Sequence, residues 1–179
     1  MPPSNFAMVD GGVFRSGYPV RKNFAFLRRL GLRTVLYLCP EPYPEANLVF
    51  LRSMGAQLLQ VGLNGNKDAM ADDRAENANV ARALVAVVDP TRWPLLIHCN
   101  KGKHRTGCVV GCLRRVQGWA LTPVLEEYRR FSMPKVRFLD EQFIELFHVA
   151  RVRKLTAARR RNAAAAAKEE EAEEAKRAP

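Results

Sequence analysis

The chain has 179 residues, 47% of them hydrophobic and 26% charged, which suits one globular domain with a tail and excludes disorder throughout. Lys and Arg number 29 against 18 Asp and Glu, a net charge of +11, so an anionic partner is expected: nucleic acid, anionic lipid or a small polyphosphate. The longest apolar runs, such as Ala83 to Val88, stop at six residues, against the roughly 20 that a membrane helix needs.

In chain order, Val13 to Ser16 reads as a short strand ended by Gly17, and Asn23 to Leu30 as a short helix stopped by Gly31. Thr34 to Leu38 is a buried strand running into Cys39-Pro40, Ala46 to Met54 a helix closed by Gly55, and Leu58 to Val61 a third strand. Gly62 to Asp73 is a polar loop and Glu76 to Val88 a helix. Leu95 to His98 is a fourth strand, apolar enough to sit at the centre of a sheet. The rest is helical: a buried helix from Thr106 to Gln117, one to Phe131 capped by Thr122-Pro123, and one from Asp140 with Phe143, Ile144, Phe147 and Ala150 on one face. This alternation predicts an α/β domain over residues 1–150, with a central, largely parallel sheet of four to five strands flanked by helices.

Residues 151–179 form a basic tail of different composition, rich in Ala, Glu and Lys, helical or disordered and without an apolar stripe to dock it. Basic and acidic side chains number 20 and 13 in residues 1–150, and 9 and 5 in 151–179, so the positive excess is shared by both parts. The N-terminus carries no basic stretch followed by an apolar one, so the expected location is the cytosol or the nucleus. There the four cysteines, Cys39, Cys99, Cys108 and Cys112, are expected as free thiols. Cys108 and Cys112 share a helix face with too few further ligands for zinc and read as core.

The segment that carries chemistry is His98-Cys99-Asn100-Lys101-Gly102-Lys103-His104-Arg105-Thr106-Gly107. Cys99 stands at the carboxyl end of a parallel strand, where open α/β sheets place their sites. The following helix points free backbone N–H groups back at it. Five residues between Cys99 and Arg105 suffice to wrap N–H groups of Asn100, Lys101, Gly102, Lys103 and His104 round one anion, and Arg105 returns with a planar fork for two oxygens. These positive surroundings favour thiolate over thiol. Thr106 can donate its hydroxyl to the sulfur, and His98 orients the loop.

Cys-x5-Arg followed by Thr-Gly, after an apolar strand and a histidine, resembles the signature of the cysteine-dependent protein tyrosine phosphatase superfamily. Asn5-Phe6, Phe14-Arg15-Ser16-Gly17, Tyr37 to Glu45 (YLCPEPYPE) and Gly65-Asn66-Lys67 extend the likeness to the plant and fungal atypical dual-specificity phosphatases, over about residues 2–148. The resemblance implies a dual-specificity-phosphatase-like fold and cleavage of inositol pyrophosphates at the 5-position diphosphate. It implies in-line attack by Cys99, a cysteinyl-phosphate and its hydrolysis by water, with no metal or organic cofactor.

It also implies a general acid, an aspartate on a loop roughly thirty residues before the cysteine. Asp68 stands 31 positions before Cys99 and is the first candidate; Asp72 and Asp73 are the alternatives. Three of the five positions between Cys99 and Arg105 are basic (Lys101, Lys103, His104), and Lys67, Arg15, Lys135 and Arg137 are candidates for the rim. So many cations favour a multiply phosphorylated small molecule. Cys39, ending a neighbouring strand, is either a small buried apolar residue or a thiol able to trap Cys99 as a disulfide on oxidation.

Two other readings compete. A phosphoprotein or phosphoinositide phosphatase would use the same nucleophile on another leaving group. A basic nucleic-acid-binding protein fits the tail alone, since no aromatic-rich basic patch or nucleic-acid motif accompanies it.

Overall fold

The computed structural model describes residues 1–64 and 74–158. Leu95 to His98 is the most apolar of the strands, and the sheet is built around it. Strands β1 (Ala7–Asp10), β2 (Val13–Ser16), β3 (Thr34–Tyr37), β4 (Gln57–Gln60) and β5 (Leu95–His98) lie in the order β1-β2-β5-β3-β4. β5 is parallel to β2 on one side and to β3 on the other, and β3 is parallel to β4. Leu95, Leu96, Ile97 and His98 are fully buried, as a strand covered on both faces requires. The parallel register sets Ser16 and Tyr37 on either side of His98, so the chain leaves three adjacent strands at one edge beside Cys99.

Helices α1 (Phe24–Arg29), α2 (Glu45–Ser53), α3 (Arg74–Val87), α4 (His104–Val116), α5 (Leu121–Ser132) and α6 (Phe138–Leu146) complete the fold. The expected strands and helices are present, and the α/β class is as expected. β1 is additional. It pairs antiparallel with β2 across the turn Asp10-Gly11-Gly12, where Gly12 takes a φ of 85°. That Asp-Gly step is the hairpin signal in the sequence that marks it.

α4 is the central helix, buried without a break from Thr106 to Arg114. Gly107 and Gly111 leave room for its neighbours: a Cβ there would stand 2.8 Å from the Tyr128 ring of α5 and 2.7 Å from Ile144 of α6. Arg114 pairs with Glu127 at 2.8 Å and donates to the Val9 carbonyl at 2.8 Å, tying α4 to α5 and β1. Cys108 and Cys112 are buried on this helix, and burial pushes both thiols well above the ordinary range. Among the described residues no cluster of His, Cys, Asp or Glu is placed to hold a metal, and no helix is long and apolar enough to cross a membrane.

Some element ends differ from the sequence-based expectations. α5 begins one residue before Thr122, with Ala120 as its N-cap. Pro123 therefore occupies the first turn, where its missing N–H has no intrahelical partner to lose. α6 ends at Leu146, which leaves Phe147 buried beyond the helix and Ala150 exposed. The backbone is helical again over 149–158, and Val152 is buried in the core, so packing continues past residue 150. The expected loop residues 65–73 and the tail beyond 158 lie outside the described residues.

Candidate active site

β5 delivers Cys99 to the sheet edge, the turn Asn100–Lys103 follows, and α4 opens at His104 with Lys103 as N-cap. This start is two residues earlier than expected and places Arg105 and Thr106 in the first helical turn. Thr106, fully buried, donates its hydroxyl to Cys99 Sγ at 3.1 Å. Cys99 is itself 5% exposed and lines a cavity.

His98 fixes the approach to the cysteine. Its Nδ1 is 3.3 Å from the Cys99 carbonyl and its Nε2 3.1 Å from the Tyr43 hydroxyl. A carbonyl only accepts, so Nδ1 carries the proton and Nε2 accepts from Tyr43. The rings of Tyr18, Tyr37 and Tyr43 stand 5.6, 5.1 and 5.6 Å from the imidazole. Burial in this cage pushes His98 down to about 4, so the ring stays neutral at physiological pH. Tyr43 lies within the 37–45 stretch, yet its partnership with His98 is a tertiary contact that the sequence does not announce.

Above Cys99 lies a cavity of about 280 Å³. Cys99, Asn100, Lys101, His104 and Arg105 of the catalytic turn and the start of α4 line it, together with Asn64, Lys135 and Arg137. Lys101, Arg105, Lys135 and Arg137 thus share one small space, and no carboxylate, Phe, Tyr or Trp joins them among the described residues. Lys135 and Arg137 come from the α5–α6 connection, which His104 holds by a 2.7 Å contact from its Nε2 to the Lys135 carbonyl.

Lys103, expected among the substrate-binding residues of the loop, and Arg15, expected at the rim, are elsewhere. Lys103 does not line the cavity; its ammonium donates to the Met133 carbonyl and braces the α5–α6 connection. Arg15 is 1% exposed, stacked 3.9 Å over the Phe131 ring, with Nη2 donating to the Gly102 carbonyl at 3.0 Å. Gly102 adopts a φ of 66°, a conformation that its lack of a Cβ permits. Lys67, Asp68, Asp72 and Asp73 lie outside the described residues.

Cys39 is fully buried, its Sγ 3.5 Å from Asn100 Oδ1 as donor. Burial pushes this thiol up, against an opposing pull from Arg105. All four cysteines are free thiols.

This geometry can hold a tetrahedral anion over a sulfur nucleophile, and proteins of known activity share its fold. The chain is 49% identical over 159 residues to the rice inositol diphosphatase DSP2, covering 89% of this chain and 77% of that protein. It is 46% identical over 158 residues to the inositol diphosphatase SIW14 of Saccharomyces cerevisiae, covering 88% of this chain and 56% of that one. The solved core catalytic domain of the yeast PP-IP phosphatase SIW14, in complex with citrate, superposes with a TM-score of 0.82 at 44% identity, covering 89% of this chain and 95% of that domain. Pseudomonas aeruginosa TpbA, at 24% identity and a TM-score of 0.69, shares the fold. The family described as "Tyrosine phosphatase family" matches residues 1–164. With a buried cysteine beneath a helix N-terminus and an arginine lining the same cavity, the chain belongs to the tyrosine phosphatase family and is a phosphatase.

Proposed function

We propose that this phosphatase removes the β-phosphate of diphosphoinositol phosphates through a cysteinyl-phosphate on Cys99, with the 5-diphosphate as the position implied by the resemblance. The observation that carries the reading is the cluster of cations: Lys101, Lys135 and Arg137 line the same cavity as Cys99 and Arg105. One phosphoryl group engages Arg105, and the remaining cations match phosphates carried elsewhere on the same ring. A phosphotyrosine ring would find no Phe, Tyr or Trp to stack on among the described lining residues.

Cys99 Sγ attacks the β-phosphorus in line, the bridging P–O bond breaks, and the inositol-bound phosphate leaves with the electron pair. Arg105 and the N–H groups of the turn hold the equatorial oxygens as charge redistributes. Water then attacks the S–P bond, releasing inorganic phosphate and returning the thiolate, which the Thr106 hydroxyl stabilises as it departs. Asp68 is the proposed general acid; Asn64, four positions before it, lines the cavity. A departing phosphate is a weak base and asks little of that acid, whereas an alkoxide or phenoxide needs the proton.

The test is phosphate release from diphosphoinositol phosphates, aryl phosphates, phosphopeptides and phosphoinositides, beside Cys99→Ser and Asp68→Asn. The reading expects kcat/KM on diphosphoinositol phosphates to exceed the others by at least about tenfold and to vanish in Cys99→Ser. A higher value on a phosphopeptide or a phosphoinositide would replace it with that substrate. A loss of about a thousandfold on the pyrophosphate in Asp68→Asn, the range of an essential acid, would overturn the weak demand for that proton.

A further inference from the structure

The carbonyl groups of the turn after Cys99 are gathered by the N-terminal segment of the chain. The Tyr18 N–H donates to the Asn100 carbonyl at 2.9 Å. Asn5 Nδ2 lies 3.4 Å from the Lys101 carbonyl and 3.3 Å from that of Gly102, and donates to the Phe131 carbonyl of α5 at 2.9 Å. Arg15 Nη2 donates to the Gly102 carbonyl at 3.0 Å, so this oxygen is approached from two sides. In a planar trans peptide the C=O and the following N–H point in opposite directions. Drawing the carbonyls of Asn100, Lys101 and Gly102 toward residues 5–18 therefore turns the N–H groups of Lys101, Gly102 and Lys103 away from that segment.

Both side chains are held at a cost that a purely structural role does not explain. Asn5 is the one described non-glycine residue with a positive φ, 55°, a region Asn tolerates better than most residues. Arg15 is almost fully buried; among the described residues its Nε and Nη1 have no hydrogen-bond partner and it makes no ion pair. Burial pushes its guanidinium down to about 10, with the charges of Glu127 and of the Cys99 thiolate pulling the other way. A site needing only volume beside Phe131 is better filled by Met or Leu, since a buried unpaired charge is expensive. A left-handed Asn and a buried cation with no ion pair among the described residues, both aimed at one catalytic turn, point to function.

We propose that Arg15 and Asn5 are positioning residues of the phosphate-binding turn: they hold the Lys101 and Gly102 carbonyls away from the bound phosphoryl group, and Arg15 adds a buried positive charge that favours the anionic state of the site. The proposal rests on the chain being a phosphatase and is independent of which phosphorylated compound it takes.

The experiment compares Arg15→Met, Arg15→Lys, Asn5→Ala and Asn5→Asp for aryl phosphate turnover, tungstate inhibition and thermal melting. Aryl phosphate and tungstate probe the turn directly, so the outcome does not depend on diphosphoinositol phosphates being the substrate. Losing a charged hydrogen bond corresponds to about 10- to 100-fold. Arg15→Met is expected to lower kcat by that factor and weaken tungstate inhibition about tenfold, with Tm unchanged or raised. Arg15→Lys restores part of both. Asn5→Asp, which sets a carboxylate against three carbonyls, loses more than Asn5→Ala. Where Arg15→Met does not fold, Arg15→Lys and the Asn5 pair carry the same readouts. Wild-type tungstate inhibition in the folded variants, whatever happens to Tm, overturns the proposal.

Discussion

The Thr106 hydroxyl and the Cys99 sulfur lie 3.1 Å apart, both buried, at the junction of β5 and α4. A donor here stabilises sulfur when it carries negative charge, before attack and again as the S–P bond breaks. Thr106→Ala is therefore expected to lower kcat by about 10- to 100-fold, the worth of one hydrogen bond to a charged group, and to let the cysteinyl-phosphate accumulate. Thr106→Ser keeps the donor and most of the rate. Rapid-quench measurement of the phosphoenzyme checks this; equal rates in the Ala and Ser variants would contradict it.

His98 couples the site to the pH dependence of stability. Above its unfolded value near 6.5 the ring is neutral in both states and contributes no pH dependence. As the pH falls from 6.5 toward about 4, the unfolded chain binds a proton that the buried ring refuses, so stability falls. Below about 4 both states are protonated and the loss is complete. The gap corresponds to about 3 kcal/mol. Urea unfolding at pH 7 and pH 4.5 is expected to show most of this loss in the native protein and not in His98→Asn; parallel changes in the two would refute the assignment.

Gly102 joins the catalytic turn to the N-terminal segment more tightly than any side chain permits. A Cβ on it would stand 2.5 Å from both the Gly17 nitrogen and the Ser16 carbonyl carbon, and its φ is 66°. Gly118, with a φ of 86° and nothing within 4 Å, is the matched control. Gly118→Ala is expected to cost about 1–2 kcal/mol, the left-handed penalty alone. Gly102→Ala adds a backbone clash to that penalty and is expected to abolish turnover. Melting curves and aryl phosphate kinetics on the two variants provide the check.

What the sequence makes legible in this site depends on how far apart along the chain the partners lie. The β5 apolar run, Cys99, Arg105 and the helix that follows are contiguous, so periodicity and spacing suffice to set them together. The fate of Arg15 is not local: its ring partner Phe131 is on α5 and its acceptor Gly102 is 87 positions away. A cation read alone belongs in water, and only the tertiary structure encloses this one. Lys103 has the same history, since its acceptor Met133 lies 30 positions on, at the end of α5. Lys135 and Arg137 reach the cavity because that connection folds back over α4, a placement that charge alone suggests without locating.

Lys135 and Arg137 carry the specificity claim. Replacing both by Ala is expected to raise KM for a diphosphoinositol phosphate about tenfold or more, and to leave that for an aryl phosphate within about twofold, since only the former carries phosphates beyond the one at Arg105. The salt dependence of KM for the diphosphoinositol phosphate should flatten in the same variant. Equal effects on both substrates would make the rim a general electrostatic field.

The most direct measurement is trapping the covalent intermediate. The native protein is mixed with a diphosphoinositol phosphate labelled in its β-phosphate, quenched within one turnover, and the peptides are mapped by mass spectrometry. The account predicts the label on Cys99, absent in Cys99→Ser and longer-lived in Thr106→Ala. Phosphate release at the native rate with no label on Cys99, or label on another residue, would contradict it.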